Sequence, residues 1–369
     1  MQTLRHIIYI YIFIQTDKND MRDIFAHGIR TLLLAALAAT SLTSCIDEDL
    51  SECGKDYKAR YTVQLRTNIT TEIDAELTTQ IEQRFGADLR TTLADIFTDR
   101  ARDLDLSFYT DDERLAQHDT HQMDASQASY TIYLPVRKYQ NLALANTAQE
   151  PEVTTSQLDN LHSMCIAQPT DRDTLDSHVI GLFSARKAME IEERDQEFDV
   201  DLYMQNCTAC LVLDPQNVAI SDVSGCVTGL ASSFNVADST YAFNHSVPIR
   251  ARQLRATDNR LIGLYATGFP SRDNLDESAT QSLAVGSAAT NGIAKAEEKA
   301  LWQIKVYVRL STGKITESTL SIRVPIKAGQ LRIIKAAIRD DGGITTTTQN
   351  VGVSVKLDWK PGGEHDIEI

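Results

Sequence analysis

Between residues 302 and 359 the chain alternates apolar and polar residues with period two, and nothing else in the sequence constrains its fold so tightly. Trp302, Ile304, Val306, Val308 and Leu310 alternate with Gln303, Lys305, Tyr307 and Arg309. After a turn at Ser311-Thr312-Gly313-Lys314 the rhythm returns in Leu320, Ile322 and Val324 and is closed by Pro325. It resumes in Leu331-Arg332-Ile333-Ile334-Lys335-Ala336-Ala337-Ile338 and in Val351-Gly352-Val353-Ser354-Val355-Lys356-Leu357-Asp358-Trp359. Successive side chains of a strand point to opposite faces, so this pattern puts one face in a core and the other in water. Short alternating runs between turn residues predict β-sandwiches.

The earlier chain carries the same rhythm with one interruption. Residues 59–67 alternate, with Tyr61, Val63 and Leu65 inward. Then Ile73, Leu77, Ile81, Phe85, Leu89, Leu93, Ile96 and Phe97 step by threes and fours, the stripe of short helices. Gly86 is expected to divide them, and the stripe reads as a lid packed on a sheet. Strand patterns follow at 104–109, 130–135 and 139–146, with Pro135 closing one run because it has no N–H to donate. A long polar loop with a helix-like piece at 156–161 comes next, then apolar runs at 179–184 and 188–191. The charged run Glu192-Glu193-Arg194-Asp195-Gln196-Glu197 is the expected domain boundary, and strand patterns restart beyond it. Residues 271–299 read as a loop or insertion.

The N-terminus addresses the chain. Arg22 and Arg30 precede the uncharged Thr31-Leu32-Leu33-Leu34-Ala35-Ala36-Leu37-Ala38-Ala39-Thr40-Ser41, and Leu42-Thr43-Ser44-Cys45 follows. Basic residues, a short apolar stretch and small residues before a cut make a secretory signal. The stretch is shorter than the roughly 20 residues a membrane span needs. Leu-Thr-Ser-Cys has the form of a lipobox, with cleavage between Ser44 and Cys45 and fatty acids such as palmitate on Cys45. One acyl chain holds a protein only marginally, so a stable anchor takes more than one. Met21 opens a complete signal by itself and is the expected start of translation. Thus 1–44 is upstream extension and signal, and 45–56 an acidic tether. Residues 57–195 and 196–369 form two domains, in keeping with about 150 residues per domain.

Function classes fall away in turn. A formal net charge of −15 opposes binding to polyphosphate, which needs a basic face. Besides Cys45 there are Cys53, Cys165, Cys207, Cys210 and Cys226, an odd set that leaves one thiol free or paired between chains. Cys207-Thr208-Ala209-Cys210 has CxxC spacing but no second ligand pair for zinc. Its strand rhythm also places the two thiols on opposite faces. Buried thiols are the expectation, a disulfide among Cys207, Cys210 and Cys226 the alternative. His118-Asp119-Thr120-His121 reads as surface histidines in a loop, and 171–176 lacks the glycine and terminal Glu of a calcium loop. No hydrolase, phosphate-loop or zinc-protease motif is present. No catalytic residue, metal, cofactor or small-molecule substrate is expected, and the chain reads as a non-enzyme.

Three stretches carry a family resemblance. They are Cys45-Ile46-Asp47-Glu48-Asp49-Leu50-Ser51-Glu52-Cys53, the segment with Leu134-Pro135, Tyr139 and Ala145-Asn146, and the end, Val353 to Gly363 with His365-Asp366-Ile367-Glu368-Ile369. Together with the strand order and the lipobox they resemble the FimB-like family of Bacteroidetes fimbrial anchor subunits. The resemblance implies an all-β fold with short helical insertions, two tandem transthyretin-like sandwiches on a lipid anchor. It implies an outer-membrane lipoprotein, surface-exposed, that holds a fimbrial shaft and limits its length. The partners it implies are shaft and accessory subunits, met by pairing of strands. Asp47, Glu48 and Asp49 fit an export signal of such bacteria. The first strand stays in its own sandwich, and Val353, Val355, Leu357, Ile367 and Ile369 are the expected subunit contacts. A lipid-anchored carbohydrate-binding or adhesin module is the alternative; exposed aromatic platforms would favour it, but Trp302 and Trp359 both lie in strand patterns.

Overall fold

The structure, a computed structural model, describes residues 56–356 except 68, 125–126, 257–259 and 275–299. The first stretch holds β1 (Asp56–Arg66), α1 (Ile69–Glu76), α2 (Gln80–Thr92), β2 (Asp103–Tyr109), β3 (Leu115–Gln122), β4 (Ser129–Pro135) and β5 (Arg137–Ala145). It continues with β6 (Thr154–Ser156), β7 (Cys165–Ala167), β8 (Phe183–Ile191) and β9 (Gln196–Met204). The second holds β10 (Cys207–Asp214), β11 (Ile220–Thr228), β12 (Ser233–Asn235), β13 (Thr240–Ala242), β14 (Ile249–Arg250), β15 (Arg252–Arg255) and β16 (Ile262–Gly268). It ends with β17 (Trp302–Leu310), β18 (Ile315–Ile322), β19 (Leu331–Ile338), β20 (Ile344–Thr345) and β21 (Val351–Lys356). The fold is all-β with a short helical insertion, as the alternation predicts.

Seven strands in the order β3-β2-β5-β8-β9-β1-β4 make the first sandwich. β8 and β9 pair only at Phe183–Met204 and Ser184–Tyr203, and there the sheet folds over. In a flat sheet β1 and β2 would stand about 19 Å apart, four spacings; instead the Tyr61 and Phe108 ring centroids are 6.1 Å apart. Val136 alone links β4 to β5 across the fold. Inside lie Ala59, Tyr61 and Leu65 against Leu104, Leu106 and Phe108, with Val63 packed at the margin. Pro135 ends an edge strand, where its missing N–H is harmless.

The helical stripe is buried as a lid. Ile73, Leu77, Phe85, Leu89 and Leu93 join the first core and also meet Cys210, Val212, Tyr265 and Leu331 on the outer face of the second sandwich. Gly86 does not divide the helices: it sits within α2, where a side chain would come within 3.0 Å of Ile73 Cγ2. The division falls at Thr79, whose hydroxyl accepts from Glu82 N while Glu82 accepts from Thr79 N. This reciprocal cap satisfies two N–H groups that α2 leaves free.

The second sandwich packs β15-β16-β10-β19-β20 on β14-β11-β17-β18-β21. Trp302, Ile304, Val306 and Val308 meet Leu211, Leu213, Leu264 and Ile334 between them. The turn at 311–314 is as read, with Gly313 at φ 86°, a conformation glycine adopts without strain.

Several expectations are corrected. The charged run does not separate the sandwiches: residues 192–195 are the turn from β8 to β9, Gln196 and Glu197 begin β9, and β9 runs parallel to β1 from Ala59–Gln196 to Arg66–Tyr203. A solvated turn and a solvated linker have the same composition. The change of sandwich comes at Gln205-Asn206, and the division is not clean even there. β12 and β13 return to pair with β7 and β6 in the sheet β13-β12-β7-β6. That small sheet covers Tyr109, Leu142 and Leu144 with Ile166 and Phe234, and Phe269, just after β16, joins the same core. The helix-like piece at 156–161 is part of the β6–β7 connection. Asp56, placed in the tether, already pairs with Pro135.

Candidate functional site

The sequence marks the two ends of the chain, and the structure describes part of each. Ser44, Cys45, Asp47, Glu48, Asp49, Leu357, Ile367 and Ile369 lie outside the described residues, as do Cys53 and Trp359. Val353 and Val355 lie in β21.

β21 closes the sheet β14-β11-β17-β18-β21, with β18 on one side and no further strand among the described residues. Val351, Val353 and Val355 stand opposite Ile322, Leu320 and Ser318, all buried. Directly paired residues share a face, so the three valines face the interior. Val353 is nonetheless 36% exposed. The facing sheet ends in β20, only two residues long, and the chain just before it, at Gly343, lies close to Val355. A sheet edge without a neighbouring strand leaves backbone N–H and C=O groups free to pair.

At the other end, β1 is held on both sides. β9 pairs with it in parallel and β4 in antiparallel fashion, from Asp56–Pro135 to Thr62–Ser129. Tyr61 is fully buried and donates to Met189 Sδ at 2.8 Å. On the outer face Arg66 binds Asp201 at 2.7 Å and Arg60 reaches Glu197 at 3.7 Å. The first strand therefore completes its own sandwich.

The other singled-out residues do structural work. Cys207 faces the second core and Cys210 the first, opposite faces as the spacing requires. Burial raises both thiols, Cys210 to about 12, so neither is a ready thiolate nucleophile. The histidines of 118–121 lie on β3, not in a loop. His118 Nε2 stands 2.9 Å from Asp105 Oδ1. His121 stacks on Tyr130 at 4.4 Å. Residues three apart on a strand diverge, so the pair cannot share a metal. Trp302 is fully buried and offers no platform to a sugar.

One feature escapes sequence reading. The chain at 175–182 runs between the two sandwiches and is tied to both. On one side Glu150 Oε2 accepts from Val179 N (2.6 Å) and Ile180 N (3.3 Å). Asn146 donates to Gly181 O at 2.9 Å, and Asn206 accepts from Leu182 N and donates to Ile180 O. On the other, His178 N donates to Thr267 O and Thr267 N to Ser177 Oγ. Burial raises the Glu150 carboxyl, against the pull of the N–H groups it accepts from. Burial pushes the His178 imidazole down to about 3. Asn146 takes a left-handed φ of 68°, which Asn tolerates better than most residues. The sequence places Asn146 in the stretch that carries the family resemblance, but not its bond to Gly181, 35 residues away.

A family model of fimbrillin-A associated anchor proteins Mfa1 and Mfa2 matches residues 55–251, more than half of the chain. No curated protein matches the sequence. Among solved structures, the fimbrial anchor protein Mfa2 from Porphyromonas gingivalis is 10% identical, with 82% of this chain and 99% of that one covered at a TM-score of 0.43. The tip fimbrial protein Mfa3 of the same organism, with a C-terminal truncation, is 11% identical, covering 83% and 100% at 0.39. A candidate polysaccharide-binding protein from Bacteroides thetaiotaomicron is 8% identical, covering 79% and 99% at 0.47.

Proposed function

This chain belongs to the family of fimbrillin-A associated anchor proteins, and from that premise we propose that it is an outer-membrane lipoprotein holding the base of a fimbrial shaft and limiting its length. Cys45 carries the lipid after cleavage behind Ser44, and Asp47, Glu48 and Asp49 direct the protein to the cell surface. β1 begins at Asp56, eleven residues after Cys45. An extended tether of that length spans at most about 40 Å, which keeps the first sandwich near the bilayer. The second sandwich takes a fimbrial subunit at the β21 edge, through Val353 and Val355 and with Leu357, Ile367 and Ile369 beyond them. Its role is binding rather than catalysis, in line with a family of anchor proteins. Shaft and accessory subunits are the partners, and no nucleic acid or small-molecule substrate enters.

The family match is the observation that carries this reading, and the partly exposed Val353, on a strand with no neighbour on its outer side among the described residues, supports the mode of contact. Two manipulations test it. Cys45→Ala should move the protein from the membrane fraction to the soluble one; continued membrane association would refute the lipid anchor. Deleting the gene should give shed or abnormally long fimbriae, whereas fimbriae of normal length still on the cell would overturn the anchoring role.

A further inference from the structure

An anchor is pulled at both ends, by lipid from the N-terminus and by a filament from the C-terminal sandwich; this inference rests on that reading. The response of a strand ladder to force depends on direction. Where the pulled ends of two strands lie together, bonds break one after another; where they lie at opposite ends, all bonds must break at once. Antiparallel hairpins such as β17–β18, pulled at their free ends, take the first form. Parallel strands pulled at the N-terminus of one and the C-terminus of the other take the second.

The first sandwich places a parallel pair in the line of load, and the second places one at the strand that takes the load up. β1, the first strand, lies parallel to β9, the last strand of the first sandwich, through eight paired positions from Ala59–Gln196 to Arg66–Tyr203. The load reaches β1 at Asp56 and leaves β9 at Met204, the opposite end of the pair. Gln205 and Asn206 then pass it to β10, and both are fixed: Gln205 N donates to Leu182 O at 2.7 Å and Asn206 is tied to Ile180 and Leu182. β10 in turn lies parallel to β19, from Thr208–Leu331 to Asp214–Ala337. All other strand pairs among the described residues are antiparallel. Parallel pairing is slightly the weaker at equilibrium and needs a long crossover, so resting stability does not account for its placement. Arg66–Asp201 and Arg60–Glu197 brace the first pair across its outer face.

We infer that the chain is a tension-bearing link whose two parallel strand pairs, β1 with β9 and β10 with β19, act in series as shear clamps. Resistance to force follows the unfolding barrier rather than the equilibrium stability. Single-molecule pulling on the purified mature chain tests this. Handles at the two termini load β1 against β9 in shear. Handles at the N-terminus and at residue 193 load the same ladder from one end, because the 192–195 turn lies beside the start of β1, with Lys58 N donating to Asp195 Oδ1 at 3.1 Å. β1 should come away at a clearly higher force in the first geometry, where the whole bonded ladder breaks together. Equal forces, or a higher one in the second geometry, would overturn the inference. A second variant joins the paired positions as Val63→Cys with Val200→Cys. Its oxidised form should lose the first release event and the extension of the residues between; persistence of that event would also overturn the inference. Both measurements use the isolated chain, so they succeed or fail independently of fimbrial shedding, which tests the anchor role.

Discussion

At the scale of single residues, the joint between the sandwiches depends on groups that have no choice of state. His178 is wholly buried, its ring edge-on to Phe269 at 5.6 Å, with only Asn206 Nδ2 near Nδ1 at 3.4 Å. No charged side chain among the described residues offsets a proton there, so the folded chain holds the imidazole neutral down to about pH 3. The unfolded chain takes up that proton near pH 6.5. A depressed folded pKa means that the unfolded state binds more protons between these limits, so stability falls as pH falls from 6.5 towards 3. Between pH 7.5 and 5 the loss from this group should be about 2 kcal/mol. Asp103, Asp105 and Glu150 act in the opposite sense: burial raises their pKa values, so they favour the folded state as pH falls. The test is therefore a difference: denaturant unfolding of wild type and His178→Phe at both pH values. Wild type should show the steeper loss, and parallel pH profiles would rule the effect out.

At the scale of elements, the helical lid is what welds the first core to the outer face of the second sandwich. Phe85 is fully buried, and a side chain at Gly263 would come within 2.6 Å of its Cζ, so ring and strand are in direct contact. Phe85→Ala should cost about 3–5 kcal/mol, the usual range for emptying an aromatic site in a core. Thermal or denaturant unfolding measures it, and a loss under about 1 kcal/mol would mean that the lid contributes little. The stripe from Ile73 to Phe97 was legible because its period differs from that of every neighbouring segment. The point of division was not. Gly86 has the weak helix propensity that breaks helices, but close contact with α1 requires a residue without a side chain there, and Thr79 with Glu82 supplies the actual start.

At the scale of the molecule, the two sandwiches are not separable beads. β12 and β13 belong by sequence to the second half but cover the first, and 175–182 is bonded to both. A fragment of residues 56–206 should therefore leave Met164 and Ile166 without Phe234, which lies in the same core. Amide exchange in β6 and β7 should be markedly faster in this fragment than in the full chain. Equal protection in both would show that the first sandwich is complete without the later strands.

Period-two alternation, the helical stripe and the opposed faces of Cys207 and Cys210 could all be read from the sequence. Each depends on residues near one another in the chain, where backbone geometry alone fixes which side chains share a face. The folding-over of the first sheet at β8–β9, the return of β12 and β13, the bonding of 175–182 and the parallel register of β1 with β9 could not. These join residues up to some 140 positions apart, and they were decided by which apolar faces could be buried together once the whole chain had collapsed.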